Sequence, residues 1–347
     1  LDPVFNSATT EYSCTVKNNI STVNVNATAT STKAKVRGLG VKDLTVGKNT
    51  LPIRVIAEDG REKIYNVNVT RKAGATSLKN EIMKNKIITA EPTLTTTSDA
   101  SGDASGLYKS TATNTGNPTY YFRGNVTNNY VKFAGQTWRI VRVNEDGTIR
   151  IVMQDGINNN AKYAFNSNSN NYTYMYYTNS QAKTQLESWY KTNIGSKKDL
   201  ASSVASGAYY CDQASVKESD RYTSGNATIT TYTSYIPDFK CSSDGNGKGI
   251  VNASIGLLNY DEVVYAGGYL VQSNNNYYLY NPSINWWTMS PAGFSGSSSV
   301  VWYVNIAGRI SNANASGTGH LRPVIIMTAD IQISDGDGTI NSPFVVE

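Results

Sequence analysis

The chain has 347 residues, of which 16% are charged, and a formal net charge of +5. That length accommodates about two domains of roughly 100–200 residues each, and no apolar run approaches the roughly 18 residues of a membrane-spanning helix, so no membrane insertion is expected. Residues 1–118 hold 15 Lys/Arg against 10 Asp/Glu and the remainder holds 16 against 16, a diffuse basic excess without the one-sided clustering that nucleic-acid binding needs.

Low charge, abundant Ser, Thr and Asn, and three cysteines are the composition of a β-rich, secreted or surface-displayed protein. The chain opens at LDPVF without a methionine, so a trimmed N-terminus is expected. Tyr12, Cys14 and Val16 alternate, as do Val23, Val25, Ala27 and Ala29, then Leu51, Ile53, Val55 and Ala57, then Tyr65, Val67 and Val69. Period-2 patterns of this length predict half-buried antiparallel strands, with a hairpin turn at Glu58-Asp59-Gly60-Arg61. Cys14 falls on an apolar position and reads as a free, inward thiol.

Over residues 1–72, LDPVFNSATTEYSCTV, the glycine pair in VRGLGV, VGKNTLPIRVIAEDG and REKIYNVNVTRK resemble the bacterial cadherin-like β-sandwich repeat. That family's pattern begins several residues earlier, which implies a missing upstream part. The resemblance implies an Ig-like β-sandwich spacer at a cell surface, with no chemistry of its own.

Residues 73–118 place Leu78, Ile82, Met83 and Lys86 at near-helical spacing and continue into TLTTTSDASGDASG, a turn-rich stretch that reads as a linker. Only three of 24 tyrosines and none of the five tryptophans precede residue 119, so residues 119–347 form a second module with its own packing logic. There Val131 and Phe133, then Trp138 to Val143, then Ile149, Ile151 and Met153 read as strands, with a hairpin turn at Asn144-Glu145-Asp146-Gly147. QAKTQLESWYKTNI puts Leu186, Trp189 and Tyr190 on one helical stripe. Asn259-Tyr260-Asp261-Glu262 has capping-box spacing before a short helix that ends at Gly267 and Gly268. Closing strands at WWTMSP, VWYVN and LRPVIIM complete an α+β domain with a loop-heavy face.

The succession WRIVRVNEDGTIRIV, LLNYDEVVYAGG, WWTMSPAG, VWYVNIAGRI, HLRPVIIM and DGDGTINSPFVV resembles a domain of unknown function in surface proteins of gut Firmicutes. That domain is similar to the C-type-lectin-like fold in its formylglycine-generating-enzyme variant. The resemblance implies a floor built by Trp287, Trp302 and the final-strand Arg322, with late loops forming a ligand face. The oxidase branch of that fold needs two late cysteines, whereas the last here is Cys241, before WWTMSP, so its chemistry is not expected.

No catalytic residues, metal ligands or cofactors are expected. His320 is the only histidine and reads as a strand-edge or ligand-face residue rather than a general base. Asp244 to Gly249 lacks calcium-loop ligands at two key positions and reads as a turn. Asp335-Gly336-Asp337-Gly338 reads as a tight turn, with a weak ion site as the alternative. Cys211 and Cys241 lie in one loop-rich segment and read as a disulfide. Tyr172 to Tyr177 and Tyr277 to Tyr280 fit either a sugar-stacking surface or half-buried strands. The EPN and QPD tripeptides of calcium-dependent sugar sites are absent.

Between Ser273 and Ile331 there is no Lys, Glu or Gln, although the three total 37 residues in the chain. Aromatics there alternate with small polar residues, the pattern of a rigid frame carrying an adaptable contact surface. The candidate ligand-binding residues are Asn285, Ser295, Ser297, Ser298, Tyr303, Asn305, Arg309, Asn312, Asn314, Ser316, Thr318 and His320. Their residue types match what adenine mutagenesis of AAC-type codons produces in the target proteins of diversity-generating retroelements. The expected function is an extracellular binding or adhesion protein with a hypervariable face, its partner a protein or glycan on another cell, phage or host surface. The competing expectation is a structural subunit of a surface filament or layer.

Overall fold

A computed structural model describes residues 1–346 apart from 17, 19, 73, 93, 95–102, 213–236, 242–248, 271 and 296–297. The chain divides into two units, Leu1–Thr76 and Ser77–Glu347.

The first unit contains β1 (Glu11–Val16), β2 (Thr22–Val25), β3 (Lys35–Arg37), β4 (Gly40–Asp43), β5 (Gly47–Ile56) and β6 (Glu62–Arg71). One sheet has the order β1-β6-β5-β3, and β2 pairs β4 separately. Tyr12, Leu44, Ile53, Val67 and Val69 close the core, with Cys14, Val23 and Val25 packed against it. Cys14 is a free, half-buried thiol. Not every strand is antiparallel. β1 lies parallel to β6, from Glu11 opposite Asn66 to Val16 opposite Arg71, because the whole unit separates the two in sequence and no hairpin sets their sense. Ala27 and Ala29 fall beyond β2. At Gly38, with φ +89°, a Cβ would stand 2.3 Å from the Pro52 carbonyl oxygen, so only glycine lets the two backbones approach.

After β7 (Thr76–Ser77), the second unit holds β8 (Ile87–Ile88), β9 (Gly106–Ser110), β10 (Thr119–Arg123), β11 (Tyr130–Phe133), β12 (Gln136–Val143), β13 (Ile149–Met153) and β14 (Lys162–Ala164). β15 (Tyr209–Cys211), β16 (Ile250–Asn252), β17 (Trp286–Ser295), β18 (Ser298–Val304), β19 (Ile310–Asn314) and β20 (Thr318–His320) follow. β21 (Val324–Met327), β22 (Gln332–Ile333) and β23 (Phe344–Val345) complete it. The larger sheet runs β21-β13-β12-β10-β9-β8, with β11 paired to the first half of β12 and β23 paired to β11. A smaller sheet runs β14-β20-β17-β18-β19.

The segment expected to be a linker is instead part of this unit. The helix Leu78–Ile82 buries Leu78 and Ile82, and β8 and β9 extend the larger sheet onto β10. Leu107 and Tyr108 are buried there, but a two-residue β8 is too short to leave a readable period. The helix Gln181–Tyr190 starts on Ser180, whose hydroxyl accepts from the Lys183 N–H, and buries Leu186 and Trp189. The helix Tyr260–Ala266 has a complete Asn259/Glu262 capping box and ends on left-handed Gly267, φ +116°. Tyr172–Met175 and Tyr177–Asn179 are 3₁₀ turns rather than strands, and Tyr176, Tyr177, Tyr277 and Tyr278 are buried. A sugar-stacking surface from those four rings is therefore closed off, while Tyr172 is exposed. Trp138, Trp286, Trp287 and Trp302 are among the largest fully buried side chains.

Candidate functional site

The smaller sheet positions the candidate residues. β19 is its outer strand, paired to β18 from Val300 opposite Asn314 to Val304 opposite Ile310. Strict alternation on β18 predicts a buried Val300, Trp302, Val304 face and an open Val301, Tyr303, Asn305 face. The structure instead covers both: Val300, Val301, Trp302 and Val304 are all buried, and only Tyr303 and Asn305 are half-exposed. On one side the Tyr260 ring packs on Trp302 with centroids 5.0 Å apart. On the other the segment before Tyr172 folds over, and the Ser299 N–H and hydroxyl donate to the carbonyls of Ser169 and Asn171. A strand one place in from the edge is overlaid from both sides, which a period of two does not reveal.

The candidate residues fall into three groups. Arg309, Asn312, Asn314, Ser316 and Thr318 are exposed along β19 and the turn into β20. Arg309 Nε donates to the Leu270 carbonyl at 2.8 Å, and the Ser316 hydroxyl lies 3.3 Å from that of Ser169. The side chains of Asn312, Asn314 and Thr318 make no hydrogen bond to any described residue. A second group is occupied by the fold. Asn305 Oδ1 accepts from the N–H groups of Ala307 and Arg309, closing the 305–309 loop, and Asn285 Oδ1 accepts from the Ile306 N–H. Tyr303 is half-buried, edge-on to Trp287 at 5.8 Å. His320 is only 4% exposed, which corrects the expectation that it contacts a ligand: its ring is drawn inward by the Asn285 carbonyl, 2.6 Å from Nδ1. The third group closes the β17/β18 hairpin. Ser298 is half-buried and pairs with Ser295, whose side chain is outside the described residues, as is Ser297.

The floor residues are buried. Trp287 Nε1 donates to the Tyr163 carbonyl at 3.1 Å. Arg322 donates from Nε to Met153 and from Nη1 to Leu279, at 3.0 and 2.8 Å, with its guanidinium 4.8 Å from the Trp286 ring. Burial lowers its pKa to about 10. Cys211 and Cys241 form a disulfide with a Cα separation of 5.6 Å. Asp337 Oδ1 accepts from the N–H and hydroxyl of Thr339, bonds that hold its pKa below the usual carboxylate range, so this carboxylate serves the turn. Residues 244–248 are outside the described residues. No group of three or more His, Cys, Asp or Glu among the described residues is placed to hold a metal, and no described helix is long and apolar enough to cross a membrane.

Against known families, the strands and core of the first unit coincide with the cadherin-like β-sandwich domain, which matches residues 1–72. Residues 1–72 are a cadherin-like domain. Its core is the Tyr12, Leu44, Ile53, Val67, Val69 cluster, and the match ends just after β6 of the cadherin-like domain. Neither the curated proteins nor the solved structures contain a match to the chain.

Sequence reasoning passed over one feature of the second unit. Arg123, Arg139 and Arg150 are buried and Arg142 nearly so, each beside large apolar residues in its strand. The signal was an arginine inside a continuous apolar run such as WRIVRV and IRIVM, where a charge persists only with partners.

Proposed function

We propose that this chain is an extracellular, non-catalytic binding protein in which the second unit presents a recognition surface and the cadherin-like domain is the spacer. The observation that carries the reading is the exposed row Asn312, Asn314 and Thr318, whose polar side chains bond to nothing described while Ile310 and Ala315 beside them are buried. Exposed side chains that contribute nothing to the fold are free to be selected for contact. Arg309 and Ser316 flank the row. A standard interface buries about 800 Å² per partner, so the row is its centre and not its whole extent. A disulfide and a cadherin-like domain support an extracellular setting. A C-type-lectin-like class for residues 119–347, an origin in gut Firmicutes and diversification of the row belong to this proposal and rest on the motif order and residue types. The partner is a protein or glycan on another cell, phage or host surface.

The test is to display wild-type chain and an Asn312→Ala/Asn314→Ala/Thr318→Ala variant on beads and measure capture of candidate cells and phage. Loss of capture with an unchanged melting temperature supports the reading, and equal capture refutes it. A reverse transcriptase gene beside a near-copy of the 284–326 coding segment is the corresponding genomic test of diversification.

One observation favours the structural-subunit reading. The bonds Asn305 N–H to Arg309 and Ala315 N–H to Ser299 make the odd residues of β19 the ones bonded to β18, so the backbone groups of Asn312 face outward from a strand with no Lys or Pro to block pairing. Light scattering at micromolar concentration separates the two: a monomer favours binding, a growing assembly favours the subunit.

A further inference from the structure

A cavity of about 330 Å³ opens between the β12/β13 turn, the Ser206–Tyr209 stretch and the disulfide. Its inner wall carries two guanidiniums on one carboxylate. Arg150 Nη1 and Arg142 Nε reach the same Glu262 oxygen at 2.8 and 3.4 Å, while the other Glu262 oxygen accepts from the Asn259 N–H as the helix cap. Glu262 is the only buried carboxylate among the described residues of this wall. Exposed Asp146 and half-buried Glu145 are engaged by the hydroxyls of Thr148 and Thr115.

The lining as a whole is balanced, with Arg142, Arg150 and Lys240 against Glu145, Asp146 and Glu262, but at the inner wall two guanidiniums share the one carboxylate of Glu262. Donor capacity is also left over. Arg150 Nε has no partner among the described residues, Arg142 Nη1 has only a 3.4 Å contact to the Thr119 hydroxyl, and Arg142 Nη2 donates to no described residue. The arginines are held in place by rings: Arg142 lies 4.7 Å from Phe239 and Arg150 5.2 Å from Tyr210. The disulfide ties the Phe239-bearing segment to β15, and both of its cysteines line the cavity.

We propose that this cavity is a binding site for a small monoanionic carboxylate. A single carboxylate matches the spare guanidinium donors and the fork geometry of arginine. The site shares no residue with the Arg309 to Thr318 row, so either claim can fail without the other.

Titration calorimetry of the full chain tests it, with acetate and glucuronate as carboxylate probes, glucose as the neutral control and inorganic phosphate as the competing anion. The expected result is saturable binding of glucuronate, absent for glucose, and weakened at least tenfold in Arg142→Gln. Acetate binding as tightly as glucuronate identifies a free organic acid as the ligand, and glucuronate alone identifies an acidic sugar. Ala208→Phe fills the cavity while leaving both arginines in the chain and should abolish binding, which keeps the test decisive if Arg142→Gln does not fold. Phosphate binding with both carboxylates silent, no binding of any probe, or equal binding in wild type and Ala208→Phe overturns the proposal.

Discussion

His320 and Asn285 are joined twice through one atom: the Asn285 carbonyl accepts from the His320 N–H at 2.7 Å and faces its Nδ1 at 2.6 Å. A carbonyl only accepts, so Nδ1 carries the proton and the ring serves as a donor that pins the start of β17. His320→Ala should destabilise the second unit by about 1–3 kcal/mol, from the lost bond and the gap left behind. His320→Asn, which offers an amide donor near the Nδ1 position, should recover part of that loss. Urea midpoints check both, and an unchanged midpoint for the alanine variant would mean that the ring is dispensable.

Trp302 and Asn312 are cross-strand partners with opposite energetic roles. Trp302→Ala should cost about 3–5 kcal/mol. Asn312→Ala should stay within about 0.5 kcal/mol. Equal costs in denaturant titration would show that the exposed row is part of the fold after all.

The disulfide spans 30 residues, and loop-closure entropy gives it about 3–4 kcal/mol. The double variant Cys211→Ser/Cys241→Ser should melt several degrees lower, whereas Cys14→Ser should melt close to wild type. Thiol titration of the unreduced, denatured chain should find one free thiol, Cys14; three would refute the bridge.

High pH should unfold the second unit. Burial raises Tyr176 and Tyr265 from 10.0 to about 12 and pushes Tyr177, Tyr210, Tyr260, Tyr277 and Tyr278 higher still. A folded-state pKa above the unfolded one means stability that is complete below pH 10 and lost as pH climbs through about 12. Arg142 and Arg322 act oppositely. Burial lowers both from 12.5 to about 10, so they add stability over that interval, but the tyrosines outnumber them. Tyrosinate absorbance should therefore rise in a cooperative step together with loss of circular dichroism. A smooth titration centred on pH 10 with the fold intact would contradict this.

Local chemistry was readable in the sequence where it acts at short range. The Asn259/Glu262 box, the Asn144–Gly147 turn and the period-2 runs of the first unit each announce their own conformation. Tertiary burial was not. Whether Asn312 or His320 faces water depends on which strand lies at the sheet's edge and on what the Ser169–Asn171 segment covers, and neither is written in the local pattern. β9 went unread for the same reason, since its partner β8 is too short to show a period and β10 lies beyond a turn-rich stretch.

The parallel pairing of β1 with β6 has a mechanical consequence. Parallel neighbours point the same way, so the leading end of β1 and the trailing end of β6 lie at opposite ends of their six-residue ladder. Tension applied across the ends of the cadherin-like domain loads all of those backbone bonds together, in shear, instead of peeling them one at a time. A domain wired this way resists pulling far better than a hairpin drawn open from its two free ends.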